Sequence, residues 1–321
     1  MEKNITGAAI HAAALEYGYD NCGVIPLSAL EGYGERLRER EAKIPESKAV
    51  YQGLSGFTRL QEDYPWAKSV LVCTNWLGKY RFPKELQGKY AKSFLLSADS
   101  LPDSPQRQQK LAFEAWLTEQ GVRFLGGETH LPARILPLRY AAVAAGLGIF
   151  RKNNFFYGEK GSYYELEGYL LDVSCEYRES HNLRPCADTC KACQNACKTH
   201  ALCGPYTMNP LSCVSFWTTF GGGQVPPHLT AEQFGSWICG CDACQDACPY
   251  NRRHDWSQGE AIAEVEELTD LLAPEALVQA QDDILREKVI PLTVDHLRPE
   301  ETQTLRTCAA RALAYEKAHQ A

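Results

Sequence analysis

Apolar residues recur at helix and strand spacings from the start of the chain. Residues 1–17 place small apolar residues among polar ones and predict a helix, and residues 21–26 predict a short strand that ends in proline. The charged stretch 27–43 is typical of a surface helix, whereas the β-rich run 69–74 is typical of a buried strand. Helices and strands therefore alternate early in the chain.

The same alternation continues to about residue 175. Residues 107–120 predict a helix that leads into an apolar run at 122–125, and residues 137–146 predict another helix that glycine ends. Residues 161–172 alternate enough to form a strand. We therefore predict an α/β or α+β fold, in which helices cover a sheet, for a first domain at 1–175.

The composition of the chain changes after this first domain. Residues 176–259 are rich in Cys, Asn, Asp, Pro and Gly, with short helical pieces, and they predict a second domain. Residues 260–321 are rich in Ala, Leu and Glu and predict a helical C-terminal extension. Within that extension, residues 306–315 predict an amphipathic helix that packs back on one of the domains.

Charge and composition exclude some classes of partner. The 321 residues are 45% hydrophobic and 23% charged, which is ordinary globular composition. The net charge of −7, from 33 basic and 40 acidic residues, argues against nucleic acid as a partner. No apolar run approaches the roughly 18 residues needed to span a bilayer, and the N-terminus lacks a signal pattern. We expect a cytoplasmic protein with no membrane partner.

Cysteines carry the clearest chemistry in the sequence. Ten of the fourteen cysteines lie between residues 186 and 248, and such clustering in a large chain without a signal points to metal rather than to disulfides. The CxxCxxxCP run that ends at Cys248-Pro249 is typical of bacterial ferredoxins, in which the last cysteine reaches the other of two 4Fe–4S clusters. An earlier run, from Cys186 to Cys197, has the same x2 and x3 spacings after a longer first gap.

Two runs arranged in this way predict crossed ligation of two 4Fe–4S clusters. One cluster takes Cys186, Cys190, Cys193 and Cys248, and the other takes Cys197, Cys241, Cys244 and one further cysteine. The eighth ligand is either Cys213 or Cys239, and we favour Cys213 because two sulfurs in Cys239-Gly240-Cys241 would need a sharp bend to reach one cluster. Zinc, which also binds sites of four cysteines, is the alternative for these runs.

Two clusters form a path for single electrons, so the protein needs an external low-potential electron donor and an acceptor. A bare ferredoxin would need only part of this chain, which leaves the first domain to supply a substrate site, a partner surface or a second cofactor. Neither a GxGxxG motif after a strand nor a GxxxxGK[ST] motif is present, which argues against a nucleotide site.

Several segments of this sequence resemble one known family. The residues AGLGIFRKNN at 145–154, GSYYEL at 161–166, CVSF at 213–216, GCDACQDACPYN at 240–251 and LRTCAARAL at 305–313 are similar to motifs of the epoxyqueuosine reductases, which are related to the reductive dehalogenases. The resemblance runs through nearly the whole chain. It supports Cys213 as the eighth cluster ligand.

The resemblance also implies a cofactor that composition and spacing do not show. Members of this family hold a corrinoid (cobalamin), without its lower base bound, between a nitroreductase-like α/β domain and the double-cluster module, which reduces cobalt to Co(I). The cofactor-binding residues carried over from the motifs are Lys152, Asn153, Gly161 and Ser162.

Catalytic residues are less well matched to the family. Arg139 matches the family's arginine, but Pro132 stands where the family has its proton-donating aspartate, and Glu128 and His130 are the nearest replacements. Tyr140, the next residue after Arg139, is our candidate proton donor by analogy with the dehalogenases.

We therefore predict a cobalamin-dependent iron–sulfur reductase of a small molecule. The alternative is an electron-transfer protein that reduces a corrinoid or a corrinoid protein without an organic substrate, and a plain ferredoxin-like adaptor is a third reading. The missing carboxylate and the acidic net charge weaken the case for epoxyqueuosine on tRNA as the substrate.

Overall fold

The computed structural model describes residues 5–97, 101–127, 135–294 and 296–319. The chain divides into two compact units, the first formed by Met1–Trp76 and Gln106–Asp188 and the second by Leu77–Pro105 and Thr189–Ala321. This division differs from the predicted boundary at residue 175, because the first unit runs on to Asp188 and the segment Leu77–Pro105 belongs to the second unit.

Helices and strands alternate through the first unit, and short helices dominate the second. The strands are β1 (Asn21–Pro26), β2 (Ser69–Trp76), β3 (Phe124–Gly126), β4 (Ile149–Phe150), β5 (Phe156–Tyr157) and β6 (Tyr164–Leu171). The α-helices are α1 (Gly7–Glu16), α2 (Tyr33–Lys43), α3 (Lys48–Gln52), α4 (Leu60–Asp63), α5 (Lys92–Leu96), α6 (Pro105–Glu119), α7 (Leu138–Ala144), α8 (Ala192–Ala196), α9 (Val214–Thr218), α10 (Ala231–Phe234), α11 (Ala243–Asp246), α12 (Ala263–Glu267), α13 (Pro274–Gln279), α14 (Asp282–Ile284) and α15 (Thr302–His319).

A four-stranded antiparallel sheet in the order β1-β2-β6-β3 forms the centre of the first unit. Side chains alternate between its two faces, as strand geometry requires. Val70 and Val72 of β2 pack on one face with Ala141 of α7, whereas Leu71 packs on the other face with Phe113 of α6. Both faces are buried, so the prediction of a mixed fold with helices over a sheet is confirmed.

One polar strand residue lies inside this unit. Glu167 of β6 is 4% exposed, and its carboxylate lies 3.9 Å from the Nζ of Lys110 on α6. Glu167 is buried because α6 covers the face of the sheet to which it points. Burying a carboxylate in this way requires a nearby cation or hydrogen bonds.

A glycine fixes the end of α7 in the AGLG segment. Gly146 adopts a φ of 76°, a left-handed conformation that glycine adopts without strain. A Cβ at this position would also lie 2.0 Å from the carbonyl oxygen of Glu179, whose N–H donates to the carbonyl of Ala145. The glycine therefore allows the chain after β6 to lie directly against the end of α7.

Backbone bonds tie the segment Leu77–Pro105 to the cysteine-rich part of the second unit. The N–H of Ile238 donates to the carbonyl of Lys89 at 2.7 Å, and the N–H of Ala91 donates to the carbonyl of Cys239 at 2.9 Å. The Tyr90 hydroxyl donates to the carbonyl of Leu272 at 2.8 Å. Such contacts distant in sequence carry no local pattern, so the sequence did not predict them.

The predicted C-terminal extension is part of the second unit. Helix α15 packs against α13 and α9, and the two terminal nitrogens of Arg311 donate to the carbonyls of Gly223 and Trp237 at 3.1 and 2.6 Å. The amphipathic helix is therefore confirmed, but it forms no separate layer at 260–321. Among the described residues, no helix is both long and apolar enough to cross a membrane.

A buried ion pair joins α5 to α11 in the second unit. The Lys92 side chain is 4% exposed and the Asp242 side chain is fully buried, with 3.3 Å between Nζ and Oδ2. Asp242 also accepts the backbone N–H of Lys92 at 2.7 Å, and Asp246 accepts from Nζ at 2.8 Å. Removing one partner of such a pair leaves an uncompensated buried charge.

We expect Lys92→Met to destabilise the protein by about 3–5 kcal/mol, because Asp242 would remain buried without its cation. Thermal unfolding of the anaerobic holoprotein should show this as a midpoint lowered by roughly 10 °C. The matched control is Arg286→Met, which removes an exposed ion pair with Asp283 and should shift the midpoint by no more than about 2 °C. Equal midpoints for the two variants would contradict the role assigned to Lys92.

Candidate iron–sulfur centre and cofactor residues

Four of the predicted cluster ligands converge in the second unit. Cys197 ends α8, Cys213 caps the N-terminus of α9, and Cys241 and Cys244 lie just before and within α11. The four are half-buried by surface area, yet the surrounding protein raises the pKa of the Cys244 thiol well above its usual range. The negative charges of Cys241, Cys213 and Cys197 raise that pKa further.

The structure separates the two candidates for the eighth ligand. Enclosure by the protein, followed by the charges of Cys213 and Cys197, raises the pKa of the Cys241 thiol. Cys239 is fully buried elsewhere, and burial followed by the charge of Cys308 raises the pKa of its thiol. Its N–H and carbonyl are bonded to Lys89 and Ala91. Cys213 therefore acts electrostatically on Cys241, whereas the cysteine that acts on Cys239 is Cys308, and this difference favours Cys213 as the eighth ligand.

Three of the other predicted cluster ligands lie on neighbouring segments of the second unit, and the fourth, Cys186, belongs to the first unit. Cys190 and Cys193 lie just before and within α8, and Cys248 follows α11, which packs against α8. Cys186 lies near the end of the first unit, where Nη1 of Arg151 approaches its sulfur at 3.8 Å. Arg151 is 1% exposed, so this contact is buried on the arginine side.

A buried carboxylate lies next to one of the four converging cysteines in the chain. Asp242 lies between Cys241 and the helix that carries Cys244, and burial raises the pKa of its carboxyl to about 6 although Lys92 opposes the shift. The sequence analysis missed Lys92 and Asp242. An aspartate inside a CxxC gap looks like an exposed loop residue until its lysine partner is known.

Among the predicted corrinoid residues, Lys152 and Asn153 are buried. The Nζ of Lys152 donates to the carbonyls of Ala187 and Asp188 at 2.7 and 2.8 Å, and the Nδ2 of Asn153 donates to the Tyr157 hydroxyl at 3.0 Å. Lys152 therefore holds the segment that leads to the cysteine runs. It is not the surface lysine that a helix end would suggest.

Gly161 and Ser162 close a tight turn before β6. Gly158 and Gly161 exchange both backbone hydrogen bonds, at 3.0 and 3.3 Å, and Gly161 adopts a φ of 115°. Ser162 is 6% exposed, and its carbonyl accepts the N–H of Tyr164. The geometry gives these two residues a clear backbone role.

Arg139 and Tyr140 lie in a group of aromatic and basic side chains on the first unit. The Nη1 of Arg139 donates to the carbonyl of Asn154 at 2.9 Å, and the Tyr140 ring packs edge-on to Tyr33 with 5.5 Å between centroids. The guanidinium of Arg36 stacks over the Phe150 ring at 4.2 Å. Burial raises the pKa of Tyr33, against the positive charges of Arg40, Arg139 and Arg36.

Two buried polar atoms in this group have no hydrogen-bond partner within the described part of the chain. They are the Nε of Arg36, a donor, and the Oδ1 of Asn154, an acceptor. The sequence analysis did not single out Arg36, which looked like any charged residue of a surface helix. Pro132, Glu128 and His130, which bear on the missing carboxylate, lie outside the described residues.

A cavity of about 650 Å³ lies in the second unit. Its lining includes Phe82, Trp256, Lys84 and the ion pair between Arg81 and Glu266. Charges of both signs surround it, so the lining favours neither anions nor cations.

Comparison with known proteins identifies the cysteine-rich segment. Residues 186–251 match the 4Fe–4S double cluster binding domain family. This match covers all eight predicted cluster ligands, including Cys213, and confirms the prediction of two 4Fe–4S clusters over the zinc alternative.

Similarity outside this segment extends over most of the chain. An epoxyqueuosine reductase from Cellulophaga algicola is 26% identical over 249 residues, which cover 76% of this chain and 78% of that protein. An epoxyqueuosine reductase from Leadbetterella byssophila is 29% identical over 253 residues, which cover 75% of this chain and 78% of that protein.

Solved structures of epoxyqueuosine reductases share the fold of this chain. A crystal structure of epoxyqueuosine reductase with an epoxyqueuosine-modified tRNA-Tyr stem loop has a TM-score of 0.70 at 21% identity, covering 97% of this chain and 81% of that one. The resemblance inferred from the sequence is thereby confirmed: this chain is similar to epoxyqueuosine reductases over most of its length and has the same fold as their solved structures.

Proposed function

We propose that this protein is a corrinoid-dependent reductase that receives electrons through two 4Fe–4S clusters. The observation that carries the proposal is the convergence of Cys197, Cys213, Cys241 and Cys244, which fits the four thiolate ligands of one cluster. The other cluster takes Cys186, Cys190, Cys193 and Cys248 by the crossed spacing of the two runs. When bound, the clusters supply single electrons and the corrinoid supplies a strongly reducing cobalt centre.

Donor and acceptor groups of the first unit fit a corrinoid edge. A corrinoid carries amide side chains, which both donate and accept hydrogen bonds. The Nε of Arg36 and the Oδ1 of Asn154 are a buried donor and a buried acceptor with no partner among the described residues, and both flank the β4–β5 hairpin. Such groups are costly to bury unless a ligand satisfies them. We therefore assign Arg36 and Asn154 to the corrinoid together with Arg139.

Lys152, Asn153, Gly161 and Ser162 have a supporting role in this proposal. Lys152 and Asn153 fix the turn between β4 and β5 and the segment before Cys190, while Gly161 and Ser162 fix the turn before β6. In this way they position the donors and acceptors. Tyr140 remains the proposed proton donor. It lies on α7, the helix that carries Arg139, and it acts electrostatically on Arg36.

A small molecule is the leading substrate class, and a modified tRNA is the second candidate. The net charge of −7 disfavours tRNA, but Arg36, Arg40 and Arg139 gather positive charge locally. A solved protein with the same fold is seen with a tRNA stem loop. This similarity is the specific observation that favours tRNA, and net charge alone does not exclude it.

The ligand assignment predicts different outcomes for two single cysteine variants. We expect Cys213→Ser to lose about four of eight irons, because one cluster loses a thiolate, whereas Cys239→Ser should keep all eight. Iron and acid-labile sulfide counted on anaerobically purified protein measure this. A loss of one cluster from Cys239→Ser alone would reverse the assignment.

The corrinoid assignment predicts weaker cobalamin binding in Arg36→Gln. Loss of a hydrogen bond from a charged donor should raise the dissociation constant about tenfold or more. The control is Arg38→Gln, which changes an exposed arginine on the same helix and should bind as the unmodified protein does. Anaerobic titration followed by the corrinoid spectrum measures both. Absence of cobalamin binding by the unmodified protein would contradict the proposed function.

Turnover separates the two substrate classes and tests Tyr140. With a chemical low-potential reductant and cobalamin present, tRNA that carries epoxyqueuosine should remain unchanged if the substrate is a small molecule, and its conversion would establish the second candidate instead. On whichever substrate reacts, Tyr140→Phe should be at least about 100-fold slower. Tyr64→Phe is the control, because Tyr64 packs against the same core as Tyr140 but contacts Trp66 instead of Tyr33. Full activity of Tyr140→Phe would remove the tyrosine as donor.

A further inference from the structure

Two cysteines outside the cluster runs lie next to each other on adjacent strands of the sheet in the first unit. The register of β1 and β2 pairs Cys22 directly with Cys73, and both side chains are fully buried. The N–H and carbonyl of Val24 both bond to Tyr177, on the side away from β2. Cys22, two residues before Val24, therefore forms a pair without hydrogen bonds to β2, the class in which cross-strand side chains come closest.

A histidine and a carboxylate extend this pair into a line of four groups. The Nδ1 of His11 lies 2.9 Å from the Cys22 carbonyl oxygen, and the Cys22 side chain raises the pKa of the imidazole. The Nε2 of His11 lies 3.5 Å from the carboxylate of Glu179, and the ring stacks on Tyr177 with 4.1 Å between centroids. A nucleophile, a base and a group that orients the base are arranged in this way in enzymes that activate cysteine.

The two thiols have opposite electrostatic surroundings. A hydrogen bond from the Cys73 thiol and another from His11 lower the pKa of Cys22 to about 7, although burial opposes them. The pKa of Cys73 is raised by burial, by the charge of Cys22 and by the charge of Glu167. Glu167 is the residue of β6 that pairs with Cys73 of β2. The surroundings therefore favour ionisation of Cys22 over that of Cys73, as an attacking cysteine and a resolving cysteine require.

We infer that Cys22 and Cys73 form a redox-active dithiol that a small hydroperoxide, such as hydrogen peroxide, oxidises to a cross-strand disulfide. The Cys22 thiolate attacks one peroxide oxygen, the O–O bond breaks, and the hydroxide leaves as water with the proton that His11 carries. Cys22 is then a sulfenic acid. The Cys73 sulfur attacks the Cys22 sulfur, the S–O bond breaks, and the departing hydroxide takes the Cys73 proton. In total, two thiols and one peroxide give one disulfide and two waters.

Burial restricts which oxidant can act. Neither sulfur is exposed, and of the four groups in line only His11 and Glu179 reach the surface, with side chains 13% and 25% exposed. A peroxide is small enough to enter beside His11 in a local opening, whereas oxidised glutathione is not. The inference is independent of the proposed corrinoid function, because it uses no cluster ligand and no corrinoid residue.

The test is mass spectrometry of the anaerobic holoprotein after equimolar hydrogen peroxide and alkylation of the remaining thiols. We expect a linked peptide pair that contains Cys22 and Cys73, is two hydrogens lighter than the reduced pair and is reversed by dithiothreitol. The internal control is Cys308, which is equally buried and whose pKa burial raises, and which should remain reduced. Cluster absorbance identifies samples in which the clusters are intact.

Variants and a second oxidant sharpen this test. Cys73→Ala should accumulate a sulfenic acid on Cys22 that dimedone traps, and His11→Gln should slow disulfide formation about tenfold or more because the thiolate fraction falls. Oxidised glutathione should give no disulfide on this time scale. A link from Cys22 to Cys175, whose pKa also responds to the Cys22 charge, would overturn the inference, as would equal oxidation of Cys308 or an equal rate with glutathione.

Discussion

Burial of thiols among other cysteines is the constraint on which the second unit depends. Burial, and after it the charges of neighbouring cysteines, raises the pKa values of Cys241 and Cys244. Positive charge beside these sulfurs would offset that cost, and the iron of the proposed 4Fe–4S cluster would supply it. The proposed ligand set therefore couples cluster binding to the folding of this unit. The Lys92 ion pair and the bonds of residues 89–91 to the chain at 238–239 hold the same region from outside.

The first unit places its chemistry under a different constraint, the burial of both sheet faces. A sheet covered on both sides leaves its polar strand residues without solvent. Cys22, Cys73 and Glu167 lie side by side on three adjacent strands of this sheet and form one row. Helices α1 and α6 contribute His11 and Lys110 to the same face. Polar groups in such a row modify one another strongly, because the low dielectric of the interior barely screens their charges. The row is a consequence of register, which one residue of slip would abolish.

Local charge matters more for this protein than net charge. The sum of −7 conceals the group of Arg36, Arg40 and Arg139 beside the β4–β5 hairpin. This group offers unsatisfied hydrogen-bonding capacity at Arg36 and Asn154 and adjoins the candidate donor Tyr140. The same surface is thus available to a corrinoid edge or to a phosphate-bearing substrate. An argument from total charge cannot distinguish these, because electrostatic recognition acts over about a Debye length, ~8–10 Å.

The sequence by itself determined the elements and the cluster chemistry. Strand β1 lies at the predicted residues 21–26, and the spacing of the cysteine runs predicted a double-cluster domain that the comparisons confirm. Both signals are local, because side-chain periodicity and thiolate spacing are set within a few residues. Only the tertiary structure decided that residues 77–105 belong with the cysteines, that Glu167 is buried, that the charge of Cys213 acts on Cys244, and that Cys22 pairs with Cys73. Each of these depends on contacts between residues far apart in the chain, and no local pattern records which partner a strand or a buried charge will meet.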